Sequence, residues 1–278
     1  MIRKRVRWLY VLLLVLGCSR DEARSTAAPA DLRIISLMPS GTEIVAALGS
    51  TSQLVGVDEY STYPPETAAL PKVGSFLSPN LEQIIKLQPS IVIVDDVHGR
   101  TAGALRDARI ETVACAMHGL PDVKQALRTI GTRIGKAAEA DRLVAQIDAA
   151  LDATAAKHPA KRPRVLAIID REAGGLGNLV AAGPGSWIDE LLAIAGGENV
   201  LAASGVRYPK VSLEEVLRAQ PEVILDLSHD AKAAPWLALD LPATRQRRVI
   251  VLGDPYLVAP SPRVREALAA LVKALAPP

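Results

Sequence analysis

Residues 76–95 read FLSPNLEQIIKLQPSIVIVD and residues 208–227 read YPKVSLEEVLRAQPEVILDL. Laid over one another, the two stretches pair Phe76 with Tyr208, Asn80 with Ser212, Leu81 with Leu213 and Glu82 with Glu214. Gln88 then meets Gln220, Pro89 meets Pro221, and both copies enter a β-branched apolar run. Each copy is an aromatic, a loop, a helix, a stopping proline and a strand. Repeats of solenoid proteins recur at about 20 to 50 residues, so a unit repeated at this longer distance predicts two sister lobes.

The segments around the repeat alternate in the way parallel sheets are written. Residues 33–38 read as a buried strand, 39–41 as a turn and 42–48 as a helix closed by Gly49, followed by a strand at 54–57. In the first copy Asn80 caps a helix that Pro89 ends before the strand 91–94, and helix 101–108 and strand 112–115 follow. Residues 122–158 carry only helix formers, with Leu127, Ile130 and Ile134, then Leu143, Ile147 and Leu151, at helical spacing. Alternation resumes at the strand 164–169. In the second copy Ser212 and Glu215 form a capping box, and a strand at 249–252 and a helix at 263–275 close the chain. The expected fold class is α/β, with two Rossmann-like lobes of parallel sheet joined by one long bridging helix.

The chain of 278 residues is 49% hydrophobic, enough for a sizeable core. It opens with MIRKRVR and the apolar run WLYVLLLVLG, too short to span a bilayer and built like a secretion leader. Val15-Leu16-Gly17-Cys18 has the form of a bacterial lipobox, which predicts lipidation of Cys18. The expected organisation is a leader at 1–17, a flexible tether at 18–31, an N-terminal lobe at 32–121, a helical connection at 122–160 and a C-terminal lobe at 161–278. Four of the 32 lysines and arginines (Arg3, Lys4, Arg5, Arg7) lie in the leader, so without it the 30 acidic residues are in slight excess. That balance, with no basic stripe, argues against a nucleic-acid partner. With Cys18 lipidated, Cys115 has no partner for a disulfide and reads as a buried, inert thiol.

In open α/β sheets, ligands bind beyond the carboxyl ends of the strands. Outside the leader the aromatics are Tyr60, Tyr63, Phe76, Trp187, Tyr208, Trp236 and Tyr256, several of them in loops at such ends. The matched Phe76 and Tyr208 are expected on opposite lips of a cleft, a pairing suited to a large, flat, partly apolar ligand. Glu82 and Glu214 each fall in the first turn of a helix, where a carboxylate complements the macrodipole, and their equivalence also makes them candidate docking points for arginines of a two-fold partner. Motifs of serine hydrolases, zinc proteases and P-loop enzymes are missing from the sequence, and the adjacent Ser228-His229-Asp230 cannot act as a relay. A secreted metal-dependent enzyme is the competing class, with Asp95, Asp96 and His98, joined by Cys115 and His118, as its candidate ligands.

The stretches RIISLMPSGTEIVAALG, LVGV, YSTYPPE, LPKVG, PNLEQIIKLQPSIVI, GSWIDELLAIAGGENV, YPKVSLEEVLRAQPEVIL and SPR together resemble the periplasmic substrate-binding proteins of cobalamin and iron-chelate ABC importers, above all the cobalamin branch. The likeness runs over nearly all of residues 32–276. The resemblance implies a non-enzymatic protein of the periplasm or cell envelope, lipid-anchored to a membrane, with no cofactor and no metal of its own. It implies a corrinoid held between the lobes at Pro39, Tyr60, Phe76, Tyr208 and Tyr256, and Glu82 and Glu214 docking on an ABC permease dimer in the inner membrane. Where some cobalamin binders carry another aromatic, this chain has Asp95-Asp96, which keeps two alternatives open. Haem would want an axial ligand from Tyr60, His98, His118 or Tyr256, and a ferric siderophore would want Arg100, Arg207 or Arg263.

Overall fold

The computed structural model describes residues 32–158 and 161–277; the leader, Cys18 and the tether lie outside the described residues. The N-terminal lobe comprises β1 (Ile34–Ser36), α1 (Pro39–Ala47), β2 (Leu54–Val57), a small hairpin of β3 (Gly74–Ser75) and β4 (Ser78–Pro79), α2 (Leu81–Lys86), β5 (Ile91–Asp95), α3 (Gly99–Asp107) and β6 (Glu111–Cys115). Two helices follow, α4 (Leu120–Arg133) and α5 (Ala137–Ala155). The C-terminal lobe runs through β7 (Arg164–Asp170), β8 (Leu179–Ala181), α6 (Trp187–Ile194), β9 (Glu198–Asn199), β10 (Lys210–Val211), α7 (Leu213–Ala219), β11 (Val223–Asp226), α8 (Ala234–Leu237), α9 (Pro242–Arg245), β12 (Val249–Val251), α10 (Pro255–Val258) and α11 (Val264–Leu275).

The repeat is a structural unit. Asn80 accepts a hydrogen bond from the Gln83 amide at 3.0 Å, and its counterpart Ser212 accepts one from the Glu215 amide at 3.2 Å. Glu215 reaches back to the Ser212 amide at 2.7 Å, completing the expected capping box. At the other end Gln88 and Gln220 both adopt left-handed backbone, with φ of 48° and 46°, before the proline. The strands that follow occupy matching places: β5 lies between β1 and β6, and β11 lies between β7 and β12. Because β5 and β11 are central in their sheets, every residue of both is buried, which is why they read as unbroken apolar runs.

The N-terminal sheet is wholly parallel, in the order β2-β1-β5-β6. The C-terminal sheet departs from the expected parallel pattern. β7, β11 and β12 are parallel, but β8 and β10 add an antiparallel edge through segments too short to show a period. Pro39, Ser40 and Gly41 form the first turn of α1 rather than a separate turn, with proline at the start, where its missing N–H costs nothing.

Helices α4 and α5 form an antiparallel hairpin, held on its outside by Lys124–Asp148 at 2.8 Å and Arg128–Asp141 at 3.3 Å. Gly131 is required at their closest approach, since a Cβ there would stand 2.6 Å from that of Ala140. The 19 residues of α5 span about 28 Å, packing on α4, which follows the N-terminal sheet, and on α6 and α11 of the C-terminal lobe. Helix α5 is therefore the bridge between lobes. Of the apolar residues at helical spacing, Leu127, Ile130, Ile134 and Ile147 are buried and Leu143 and Leu151 are half-buried.

One charged pair is buried behind the carboxyl ends of β7 and β11. Arg171 and Asp226 have side chains 2% and 0% exposed, with Nε donating to Oδ2 at 2.8 Å. The carboxylate also accepts from Trp236 Nε1 at 2.7 Å and Ser228 Oγ at 2.6 Å, so it is fully satisfied. Removing one partner of such a pair costs about 3–5 kcal/mol, because the other charge is left unpaired. Asp226→Ala should therefore lower the unfolding free energy in urea by about that amount, and Arg171→Leu added to it should restore part of the loss.

Candidate functional site

The carboxyl ends of the N-terminal strands face the C-terminal lobe along one seam, which contacts after three of them define. After β1, Ser40 Oγ donates to the Pro260 carbonyl at 2.6 Å, and the Glu43 carboxylate accepts from Ser261 Oγ at 2.5 Å. After β6, the Leu120 amide donates to Glu190 of α6 at 2.6 Å. Gly119 makes room for this approach, since a Cβ there would meet Glu190 at 2.7 Å. After β2, Tyr63 lies against Arg263, whose guanidinium carbon stands 4.1 Å from that ring centre and 4.1 Å from the Tyr256 ring centre. A guanidinium clasped by rings from both lobes is a cation–π bridge, worth about 2 kcal/mol when desolvated.

The loop that carries Tyr60 and Tyr63 is shaped by a buried carboxylate. Asp58 accepts from the Tyr60 amide at 3.0 Å and from the Ser61 hydroxyl, while Thr42 and Ser61 hydroxyls meet at 2.8 Å and Lys72 Nζ donates to the Ser61 carbonyl at 2.9 Å. Burial raises the Asp58 carboxyl above its usual range against these hydrogen bonds. Glu43 is raised in the same way, opposed by Ser261 and Arg263.

Among the residues expected to bind ligand, Pro39 is half-buried beside Ser40 at the seam. Tyr60 projects from its loop, 63% exposed, with its ring free for contact. Phe76 is half-buried in the hairpin between β3 and β4, its ring edge-on to His98 at 4.9 Å and 66°. Tyr208 is 42% exposed, and burial raises its phenol, with Arg207 opposing and Glu190 reinforcing. Tyr256 is half-buried under Arg263, its phenol raised by burial and by Asp254. The structure thus brings Tyr256 together with Tyr63, through Arg263, whereas Phe76 is tied to His98. Among the described residues Phe76 and His98 are the only close pair of aromatic rings, so the rings of the matched Phe76 and Tyr208 are not paired with each other.

Glu82 and Glu214 are both exposed in the first turns of α2 and α7. They differ in engagement: Glu214 accepts from Arg218 at 2.8 Å one helical turn on.

The rim around Asp95 does not form the metal site that its letters spell. His98 accepts from the Asp95 amide through Nδ1 at 2.9 Å, and its Nε2 meets the Phe76 carbonyl at 2.5 Å, so both ring nitrogens are occupied. His118 Nε2 lies 3.0 Å from Asp96. Among the described residues no three His, Cys, Asp or Glu side chains converge to hold a metal ion. Cys115 is buried and free, its thiol pushed up to about 11 by burial and by Asp95. Ser228 donates to Asp226, and His229 and Asp230 are exposed beside it. The contacts that shape the seam are tertiary; the one local signal for them was Glu43, a carboxylate inside the apolar run of α1.

The model of the periplasmic binding protein family matches residues 34–256, and the chain belongs to that family. It is 29% identical to the vitamin B12-binding protein of Vibrio parahaemolyticus over 85% of this chain and 86% of that one. It is 32% identical to that of Salmonella choleraesuis over 81% and 80%. Among solved structures it is similar to the periplasmic haem-binding protein RhuT of Roseiflexus, at 33% identity and a TM-score of 0.77, covering 88% of this chain and 98% of that one. It is also similar to the periplasmic vitamin B12-binding protein BtuF of Vibrio cholerae, at 28% identity and a TM-score of 0.72, covering 87% and 96%. These relatives are binding proteins rather than enzymes.

Asp95 gives the rim a pH dependence. Burial and the neighbouring Asp96 push its carboxyl from 3.8 up to about 6. A raised carboxyl favours folding while it is protonated, and that contribution is lost as pH rises through about 6. Asp95→Asn keeps the neutral form and the acceptor for the Val97 amide. In melts followed by circular dichroism it should stabilise the protein at pH 7.5 by about 1–3 kcal/mol and give no gain at pH 4.

Proposed function

We propose that this member of the periplasmic binding protein family captures a corrinoid between its lobes and hands it to an ABC permease in the inner membrane, tethered meanwhile by lipid on Cys18. The observation that carries this reading is the seam itself. Tyr63 and Tyr256 meet there on Arg263; Tyr60 shares the loop of Tyr63 and Tyr208 lies within the influence of Glu190, and the rings of Tyr60 and Tyr208 are open to solvent. Exposed rings on opposed lobes suit a broad ligand with apolar faces. The binding residues are Pro39, Tyr60, Phe76, Tyr208 and Tyr256, and the vitamin B12-binding relatives support the ligand class. Glu82 and Glu214 are the docking carboxylates, exposed and rigidly based on their helices, and suited to arginine forks.

One observation favours haem as a second reading. Haem needs an axial ligand from the protein, and the exposed phenol of Tyr60 offers one where His98 cannot. The likeness to haem-binding RhuT points the same way.

Parallel titrations with cyanocobalamin and haemin separate these readings. Cyanocobalamin should bind at one site, with Phe76→Ala and Tyr208→Ala together weakening it about tenfold, as expected for two lost ring contacts. Haemin binding that depends on Tyr60, read as a visible-band shift lost in Tyr60→Phe, would favour haem. Glu82→Arg with Glu214→Arg should leave ligand affinity unchanged and abolish uptake in cells; an equal loss of affinity would refute docking. Cys18→Ala should release the protein from membranes into the soluble fraction.

A further inference from the structure

Away from the seam, where β7, β11 and β12 begin, the C-terminal lobe holds a cavity of about 700 Å³ between the last turns of α5 and the length of α11. One wall is Ala150 and Ala153 of α5; the other is Leu268, Ala269 and Val272 of α11. The alanines leave the space between the helices unfilled. Val272 faces it as an apolar side chain 43% exposed. The cavity is long, because α11 rises about 16 Å between the lining residues Arg265 and Ala276.

The charges on its rim are four cations against one carboxylate. Lys157, Lys161 and Arg248 stand at the end where the strands begin, and Arg265 at the other. Glu222 is the only carboxylate among the lining residues, and it is already engaged by Lys161 Nζ and the Arg164 amide, each at 3.0 Å. Arg248 is fixed in place by donating to the carbonyls of Leu275 at 2.8 Å and Ala276 at 3.2 Å. Among the described residues neither Lys157 nor Arg265 reaches a carboxylate. An elongated apolar slot with surplus cations at its mouth complements a molecule with one anionic head and one hydrocarbon tail.

We propose that this slot binds a single-chain amphiphilic anion, its tail along α11 and its carboxylate or phosphate head among Lys157, Lys161 and Arg248. The volume lies within the range of small-molecule sites, about 300–1,000 Å³, and tail burial would cover Val272 and Leu268. This site is separate from the seam and does not depend on which cargo the seam carries.

The test uses the chain expressed with Cys18→Ser, so that it carries no acyl group of its own, titrated by calorimetry with dodecanoate, dodecyl phosphate and dodecanol below their aggregation limits. Dodecanoate or dodecyl phosphate should bind at one saturable site, and the tighter of the two identifies a fatty acid or a phosphate-headed lipid as the source. Ala153→Trp and Ala269→Trp, which fill the slot from opposite walls, should each weaken binding about tenfold or more. Lys157→Glu with Lys161→Glu, which removes two of the cations placed around the head, should do the same, with cyanocobalamin and haemin titrations unchanged throughout. Two plugging variants guard against one failing to fold, which thermal melting would reveal. Absence of saturable binding by both anions, dodecanol binding as tightly as the anions, or full affinity in a folded plug would overturn the proposal.

Discussion

Two sheets can share one binding site only if the carboxyl ends of their strands face each other, and this chain meets that constraint with a rigid helix and a seam of polar contacts. Helix α5 fixes the distance, docked on α4 and also on α6 and α11. The seam fixes the facing edges through Ser40 with Pro260, Glu43 with Ser261, Glu190 with Leu120, and Arg263 between Tyr63 and Tyr256. Wide separation of the lobes would strip Glu43 of its hydroxyl partner and Arg263 of one ring. Buried polar groups are expensive to leave unpaired, so the seam resists a large hinge motion.

The surroundings of the tyrosines follow from the same constraint. Loops that leave strand ends carry unsatisfied backbone groups, and here side chains satisfy them. Asp58 gathers the Tyr60 amide and the Ser61 hydroxyl, and His98 binds both the Asp95 amide and the Phe76 carbonyl. These hydrogen bonds fix the loops, and on the proposed reading the rings would need little further ordering to bind. Evolution could vary the rings on such a frame without disturbing the sheets beneath, which accords with vitamin B12-binding and haem-binding proteins sharing this fold.

The lobes were legible in the sequence because their determinants are local. Caps at Asn80 and Ser212, stops at Pro89 and Pro221, and the apolar runs of β5 and β11 each occupy a few adjacent residues, and the repeat doubled every signal. The antiparallel β8 and β10 escaped because three- and two-residue strands carry no period. The seam escaped for another reason: Glu43 and Ser261 stand 218 residues apart, Ser40 and Pro260 220 apart, and nothing local encodes their meeting. Of the candidate site, Tyr208 was singled out by its match with Phe76 in the repeat and Tyr60 by the family resemblance, while the clasp of Arg263 joined residues that had been noticed only one at a time. Among the described residues Asp95, Asp96 and His98 do not converge on one point, because their atoms are engaged in hydrogen bonds to the backbone and to His118.

The central claim is that cargo is held by both lobes at once along this seam. A crystal structure of the protein grown with cyanocobalamin, or with haemin should only that bind, tests it directly. The account predicts ligand density touching Tyr60 on one side and Tyr208 or Tyr256 on the other, with the Glu43–Ser261 bond kept. Density confined to one lobe, or lying away from these rings, would contradict it.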